Sequence, residues 1–242
     1  MMKRKFTIAA FFIFLLGFSP EIFSQSAGIN FMMGFPQGEF KKSINRLGFG
    51  AEGFVTLWTV KPSLPFTLGV DGSFMTYGSE SRNEAFSTTI PDVRVDVNRT
   101  NNIVNFHLLL QIMPPYGSVR PYIEGLWGGS YLYTQTQINS SGNRDKEVAS
   151  STNFDDWAWN YGGGGGLMIK VHEMQNNDEG ANPRWKVSGI WIDLKARYML
   201  GSEAEYLKEG SMRIEQGKVL FTPSKSKTDL ITAHLGVMVL FD

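Results

Sequence analysis

Nine ionisable side chains fall on the polar faces of segments that alternate in polarity, and these groups could do chemistry. They are four acids, three bases and two histidines: Glu52, Asp71, Glu124, Asp193, Lys170, Lys195, Arg197, His107 and His234. If those faces are enclosed, the charges must be paired or hydrated, because a lone buried charge costs several kcal/mol or shifts its pKa. The set predicts an internal network of salt bridges and hydrogen bonds. The alternative is a small gated pore for ions or small solutes, in which breaking such pairs opens a path.

The sequence contains no residue pattern typical of a metal or cofactor site. The chain contains no Cys, which excludes thiolate zinc sites, disulfide frameworks and cysteine nucleophiles. His107 and His234 are far apart in the sequence, and the H-x-x-x-H spacing is absent. We therefore predict neither a metal site nor a cofactor. The formal net charge of zero gives no reason to expect a nucleic-acid partner.

The glycine run Gly162–Gly166 has the composition of a phosphate-binding loop but not its pattern. G-x-x-x-x-G-K-[ST] is absent, and Leu167–Ile169 continue a strand pattern where a helix should begin. Glycine in a strand lets large neighbours approach and permits strong curvature. We interpret the run as structural, with a protein contact as the alternative.

Eight segments alternate apolar and polar residues with a period of two, which is typical of strands with one apolar face. The last, Lys227–Asp242, is apolar at every odd position from Ile231 to Phe241. The other seven are Gly28–Phe35, Leu47–Trp58, Phe66–Tyr77, Asn102–Met113, Arg120–Tyr133, Trp157–Val171 and Lys186–Leu200. Tight Pro-rich connectors, such as Val60–Pro65 and Pro114–Ser118, alternate with long polar ones. Short turns at one end and long loops at the other are typical of bacterial membrane barrels.

One long connector has a pattern of its own. The valines of Pro91–Val97 fall on odd positions, whereas the apolar residues of Asn102–Met113 fall on even ones. This change of parity predicts a bulge near Thr100, with the hairpin extending beyond the membrane. A separate soluble hairpin is the alternative.

The bulk of the apolar faces indicates which side is inside. An eight-stranded interior is barely wide enough for side chains, and the polar faces are rich in glycine. The large aromatic residues therefore belong outside, although Trp191 shares its parity with Asp193 and Lys195. A soluble barrel would have the opposite arrangement. We predict an aromatic girdle at the outer membrane interface, formed by Tyr131, Tyr133, Trp157, Trp159, Tyr161 and Tyr198.

The amino terminus has the three regions of a signal peptide in order. Met1–Lys5 carries three basic residues, Phe6–Phe18 is apolar, and Ser24-Gln25 gives a polar exit. An apolar helix of that length spans roughly 20 Å, short of a membrane core of about 30 Å, which disfavours a membrane anchor. We predict a signal peptide over 1–24, cleaved after Ser24, and a barrel domain over 25–242.

Three stretches resemble a known group. They are GINFMMGFPQGEF (Gly28–Phe40), RPYIEGLWGGSYLY (Arg120–Tyr133) and KTDLITAHLGVMVLF (Lys227–Phe241). Together with the signal peptide, they are similar to the small outer-membrane β-barrel domain proteins related to the OmpA-type barrel. The resemblance implies an all-β fold, an eight-stranded antiparallel up-and-down transmembrane β-barrel in the outer membrane of a Gram-negative-type envelope. It also implies insertion by the barrel-assembly machinery, with Phe241 as the assembly signal, although Asp242 follows it.

We therefore expect a monomer in outer-membrane lipid, without enzymatic activity, that has a structural or surface-interaction role through its long loops. The gated pore is one alternative, and an outer-membrane lipid-modifying enzyme is another. Such an enzyme needs a Ser, a His and an acid at the outer rim. Ser73 and Ser130 instead face the lumen by parity, His107 and His234 count to mid-strand, and no G-x-S-x-G occurs.

Overall fold

The computed structural model describes residues 26–85, 94–140, 143–174, 187–208, 210–215 and 218–241. The predicted signal peptide and its cleavage site lie outside these ranges. The described elements are β1 (Ser26–Pro36), α1 (Gly38–Ser43), β2 (Gly48–Thr56), β3 (Phe66–Ala85), β4 (Arg94–Ile112), β5 (Val119–Ser140), β6 (Asn143–Glu173), β7 (Val187–Gly201), β8 (Glu203–Tyr206), β9 (Met212–Glu215), β10 (Lys218–Phe221), β11 (Ser224–Lys227) and β12 (Leu230–Phe241). No described helix is long and apolar enough to cross a membrane.

Eight of these strands form a closed antiparallel barrel in the order β1-β12-β7-β6-β5-β4-β3-β2. The barrel closes where β1 pairs with β12, from Ser26 opposite Leu240 to Pro36 opposite Leu230. Each of the eight segments predicted from alternation overlaps one barrel strand. The prediction of an all-β, eight-stranded up-and-down barrel is confirmed.

The barrel wall is higher on one side than on the other. Strands β3 to β6 continue beyond the level at which β1 and β2 end, and they form one extended sheet as far as Ala85 and Ser140. The register shifts between Thr76 and Gly78, so the extra residue is Tyr77 on β3. The predicted bulge near Thr100 was therefore assigned to the wrong strand, because a parity change in one strand does not say which partner has the additional residue. The hairpin is continuous with the barrel wall.

The barrel carries its large apolar side chains on the outside. Because successive side chains of a strand point to opposite faces, the alternating residues of each barrel strand form a continuous apolar belt. Its exposed members include Ile29, Phe31, Phe49, Val55, Leu68, Phe74, Val104, Phe106, Leu108, Leu110, Ile112, Ile123, Trp127, Leu167, Leu194, Leu235 and Val237. The inward face carries the buried charged and polar side chains together with buried apolar ones, among them Trp191 with 1% of its surface exposed.

We call the end of the barrel that carries the long connectors the outer end, and the opposite end the inner end. Two of the outer connectors contain secondary structure. In the β1–β2 connector, α1 has no side-chain cap at Gln37, and its one buried residue is Phe40. In the β7–β12 connector, β8 pairs with β11 and β9 pairs with β10. A helix of six residues is not stable by itself in water, so the burial of Phe40 is what holds α1 in place.

Candidate functional site

Eight of the nine predicted ionisable residues lie together inside the barrel. Strand β7 provides three of them at alternate positions, Asp193, Lys195 and Arg197, and all three are at most 5% exposed. The others come from five neighbouring strands: Glu52 on β2, Asp71 on β3, His107 on β4, Glu124 on β5 and His234 on β12. We call these eight residues the lumen network.

Arg197 joins the three glutamate and aspartate carboxylates of β2, β3 and β5. Its Nε donates to Glu124 Oε1 at 2.6 Å, and its Nη1 donates to Asp71 Oδ2 at 3.0 Å. Its Nη2 lies 3.1 Å from Glu52 Oε1 and 3.3 Å from Glu124 Oε2. Charge-assisted hydrogen bonds of this forked kind are strong and fix orientation. One guanidinium therefore links four strands across the lumen.

Lys195 and Asp193 form the second part of the network. Lys195 Nζ lies 2.7 Å from Glu52 Oε1, 3.2 Å from Asp193 Oδ2 and 4.4 Å from the centre of the Phe54 ring. Asp193 also accepts hydrogen bonds from the Tyr122 hydroxyl at 2.6 Å and from Asn30 Nδ2 at 3.3 Å. Tyr122 and Asn30 were not in the predicted set, although their positions in the alternating pattern place them on the inward face.

Each histidine of the network contacts a carboxylate. His107 Nδ1 lies 3.0 Å from Asp71 Oδ1, and its Nε2 lies 2.9 Å from Asn160 Oδ1. His234 Nδ1 contacts Glu52 Oε2, and its Nε2 lies 2.7 Å from Thr232 Oγ1. From Asn160 a chain of hydrogen bonds continues to the three residues Ser130, Asn105 and Ser73. Parity places Ser73 and Ser130 in the lumen, but the hydrogen-bonded chain went unpredicted because these residue types carry no distinctive signal.

The structure does not bring Lys170 into the lumen network, so its predicted membership is wrong. Its Nζ lies 3.2 Å from Glu173 Oε2 at the inner mouth of the barrel, and a quarter of its side chain is exposed. Lys170 does lie on the inward face, since it pairs in register with Trp191 and its Nζ lies 5.3 Å from the centre of that ring. Parity therefore gives its face, but its position at the mouth places it beside Glu173 instead of the network carboxylates.

The outer end of the lumen is closed by a cluster of buried apolar side chains, which we call the outer plug. Phe40 of α1 occupies its centre, with ring centroids 5.7 Å from Tyr77 and 5.2 Å from Tyr206. Tyr77 lies just beyond the girdle residues, and burial, followed by the neighbouring Tyr206, raises the pKa of its phenol. The other members are Met32, Ile44, Met75, Ile103, Leu132, Ala158, Ala204 and Leu230.

A second apolar cluster occupies the inner side of the lumen and extends along its wall as far as Met199, which pairs with Leu230 of the outer plug. Its members are Phe54, Val60, Leu109, Met113, Tyr122, Leu126, Met168, Trp191, Met199 and Met238. Next to the network, a cavity of about 20 Å³ is lined by His107, His234, Arg197 and both polar and apolar neighbours. That volume is enough for one water molecule. Apolar side chains therefore flank the network on both sides along the lumen.

Four of the six predicted girdle residues point fully outward. Trp157, Trp159, Tyr161 and Tyr198 are exposed, and the remaining two, Tyr131 and Tyr133, are partly exposed. Trp159 is the centre of an aromatic group, with ring centroids 5.5 Å from Trp127 and 6.3 Å from Trp157. All of these residues lie on β5, β6 and β7, so the aromatic group covers one side of the barrel.

The Gly162–Gly166 run provides space inside the barrel. A Cβ atom at inward-facing Gly164 would lie 2.3 Å from the Ala196 carbonyl oxygen and 2.9 Å from Arg197 Cγ. At inward-facing Gly166 it would lie 2.6 Å from the ring of Tyr122. These contacts are too short for a real side chain, so the run leaves room for network residues. This geometry fits a structural role.

No metal or triad geometry appears among the described residues. No group of three His, Asp or Glu side chains in the described ranges could hold a metal ion. Ser130 and His107 are separated by Asn160, which bonds to both. The described serine and histidine are thus arranged as links of a hydrogen-bond chain.

No protein-family model and no curated protein match the chain. Among solved structures, it resembles neisserial surface protein A, at 10% identity over 90% of this chain and 96% of that chain, with a TM-score of 0.37. It also resembles Ail of Yersinia pestis, solved with a heparin analogue, at 16% identity over 90% and 97%, with a TM-score of 0.32. A third is the N-terminal β-barrel domain of Pseudomonas aeruginosa OprF, at 14% identity over 89% and 97%, with a TM-score of 0.32. These similar structures are small outer-membrane barrels.

Proposed function

We propose that this protein is an integral outer-membrane barrel of a Gram-negative-type envelope, with a closed lumen and a structural or surface-interaction role. The observation that carries the proposal is its inverted arrangement: a belt of exposed apolar side chains surrounds a network of buried charges. In water such a belt would drive aggregation, since soluble monomers rarely expose apolar patches above a few hundred Å². In lipid the same belt is favourable.

The filled lumen supports a role outside transport. The outer plug, the lumen network and the inner apolar cluster follow one another along the lumen, and the cavity beside the network has room for about one water molecule. A conducting pore would require the movement of both apolar layers as well as the rupture of the Arg197 ion pairs. The closed interior supports a non-conducting barrel over the gated pore.

The outer connectors are the surface available to a partner. α1 and the hairpins β8–β11 and β9–β10 lie at the outer end, and Lys41, Lys42 and Lys225 are exposed there. Rigid elements that present loops are a common way to carry recognition. Surface interaction through these elements fits the girdle, which sets the depth of the barrel in the membrane.

Assembly follows from the same proposal. β12 ends at Phe241, which pairs with Val187 of β7. We propose Phe241 as the signal for the barrel-assembly machinery and a monomer as the final state. Phe241→Ser should lower the amount of folded protein in outer membranes, while folding of the purified variant into detergent micelles should stay close to wild type.

Planar bilayers and intact cells provide the test. Purified protein should give no stable conductance steps, and trypsin added to intact cells should cleave at exposed outer lysines. Removing residues 212–221 (β9–β10) should leave insertion unchanged and reduce any surface binding. Regular single-channel steps from the wild-type protein would contradict the closed lumen. Recovery of the protein in the soluble fraction would contradict the membrane assignment.

A further inference from the structure

The lumen network holds more carboxylates than permanent cations. Glu52, Asp71, Glu124 and Asp193 provide four negative charges, and Lys195 and Arg197 provide two positive ones, which leaves a net charge of −2. All six side chains are at most 3% exposed. Uncompensated charge in such surroundings is strongly destabilising. Two further positive charges would make the interior neutral.

We propose that His107 and His234 supply these charges as imidazolium ions, so that the barrel interior is a binding site for two protons. This inference depends on the enclosed geometry and not on the proposed surface role. Histidine is the side chain whose charge can change near neutral pH. The network lacks two positive charges for neutrality, and it contains two buried histidines.

The partners of His107 require two ring protons. Nδ1 lies 3.0 Å from Asp71 Oδ1, a carboxylate oxygen that can only accept. Nε2 lies 2.9 Å from Asn160 Oδ1, also an acceptor. An imidazole with acceptors on both nitrogens has to donate from both. Such a ring is the protonated form.

In the structure Asn160 turns its Oδ1 towards His107, and a hydrogen-bond chain runs away from it. Its Nδ2 donates to Ser130 Oγ, Ser130 donates to Asn105 Oδ1, and Asn105 Nδ2 donates to Ser73 Oγ. Neutral His107 would need a donor from Asn160, so Asn160 and Asn105 would both have to rotate their amides. Loss of one proton from His107 is therefore coupled to reversal of four hydrogen bonds: the one between His107 and Asn160 and the three that follow along the chain to Ser73.

His234 occupies an equivalent position on the opposite wall. Its Nδ1 contacts Glu52 Oε2, and its Nε2 lies 2.7 Å from the Thr232 hydroxyl, which can accept. Lys195 lies opposite His234 on β7, and Met32 lies opposite it on β1. Lys195 and Arg197 already neutralise one oxygen of Glu52, and the imidazolium pairs with the other.

The groups that face the two histidines come from the six other strands of the barrel. The charged or titratable ones are Glu52 from β2, Asp71 from β3, Tyr122 and Glu124 from β5, and Asp193, Lys195 and Arg197 from β7. Strands β1 and β6 contribute the neutral amides Asn30 and Asn160. No further described cation lies within the network, because Lys170 pairs with Glu173 at the mouth.

Histidine ring nitrogens report their protonation directly. The full-length chain has three histidines, and His172 is exposed, so it is an internal reference. In protein labelled with ¹⁵N-histidine and folded in detergent micelles, the His107 and His234 rings should each show two protonated nitrogens at pH 7.5. The exposed His172 ring gives the reference signal in the same spectra. A neutral ring at His107 or His234 would overturn the proposal.

The pH dependence of unfolding provides an independent measurement. A folded barrel that keeps two protons lost by the unfolded chain becomes less stable as the pH rises, by up to about tenfold in the unfolding constant per pH unit and per proton. Between pH 7.5 and 8.5, His107→Gln and His234→Gln should each reduce the change of the unfolding constant with pH by the part that one proton contributes. His172→Gln should keep the wild-type dependence. An identical change of unfolding free energy with pH in the wild type and all three variants would refute the two-proton site. If a variant does not fold, the ¹⁵N spectra of the wild-type histidine rings provide the test instead.

Discussion

Arg197 holds Glu124 with two nitrogens, Nε at 2.6 Å from Oε1 and Nη2 at 3.3 Å from Oε2, although the two residues lie on strands that are not neighbours. β6 runs between them, and the residue directly in register with both is Gly164. The ion pair therefore passes over a position that has no side chain. This relationship gives the glycine run a defined purpose.

Gly164→Ala should destabilise the barrel by about 1–3 kcal/mol, the usual cost of overpacking. The new methyl group would meet the Ala196 carbonyl oxygen and the Arg197 side chain. Urea unfolding of the micelle-folded protein measures the change. Gly125→Ala is the matched control, since a Cβ atom there meets nothing within 4 Å. Equal stability of the two variants would contradict the packing role of Gly164.

Arg197→Met should lower the free energy of unfolding by about 3–5 kcal/mol, because Glu52, Asp71 and Glu124 lose their shared partner inside the barrel. Lys225→Met removes an exposed cation whose pair with Glu203 is 3.3 Å long. Exposed pairs contribute at most about 1 kcal/mol, so this control should unfold nearly as the wild type does. Similar losses for both variants would show that the network contributes little.

Phe40→Ala should release α1, because Phe40 is the only buried residue of that helix. Removing a buried phenylalanine side chain costs about 3–5 kcal/mol in a well-packed core. Trypsin should then cut faster at Lys41 and Lys42 in the folded protein, as seen by mass spectrometry. Tyr116→Ala changes an aromatic residue that is 72% exposed in a turn, and it should leave the cleavage rate unchanged. An unaltered rate in Phe40→Ala would show that α1 is held by other contacts.

Leu108→Arg tests the lipid-facing belt. Leu108 is exposed and is the central one of the five outward apolar residues of β4, from Val104 to Ile112, so the substitution should weaken folding into lipid vesicles by about 2–4 kcal/mol. Tyr116→Arg places the same charge in the inner turn and should fold normally. The measurement is the urea midpoint followed by gel mobility. A soluble protein would tolerate Leu108→Arg as well as the control, which would contradict the membrane proposal.

Much of the fold could be predicted from periodicity, because a barrel wall imposes the same alternation on all eight strands. The inward position of Trp191 followed from parity alone. Counting failed where the count itself changes, at the Tyr77 bulge. It gave the inward face of Lys170 but not the distance of that residue from the network. Both features depend on pairing between strands, which a single segment of sequence does not specify.

Most charged residues of the candidate site could be predicted from the sequence, but the hydrogen bonds that join them to neutral residues could not. Asp193, Lys195 and Arg197 stand out because three ionisable residues alternate in one apolar strand. The roles of Asn160 and Ser130 depend on distances across the barrel, and their residue types are common in loops and strands alike. Phe40 was also beyond prediction, since its place in the outer plug depends on contacts with Tyr77 of β3 and Tyr206 of β8, which are distant in the sequence.

The pairing of β1 with β12 has a consequence for biogenesis. The two edges that must meet are the first and the last strands of the described chain, so neither can find its partner until synthesis has passed Leu230. Until then both edge strands expose unpaired backbone amides and carbonyls, and the apolar belt is exposed to water. The topology therefore predicts that the unfolded chain aggregates in water unless both edges and the apolar belt are shielded before the barrel closes.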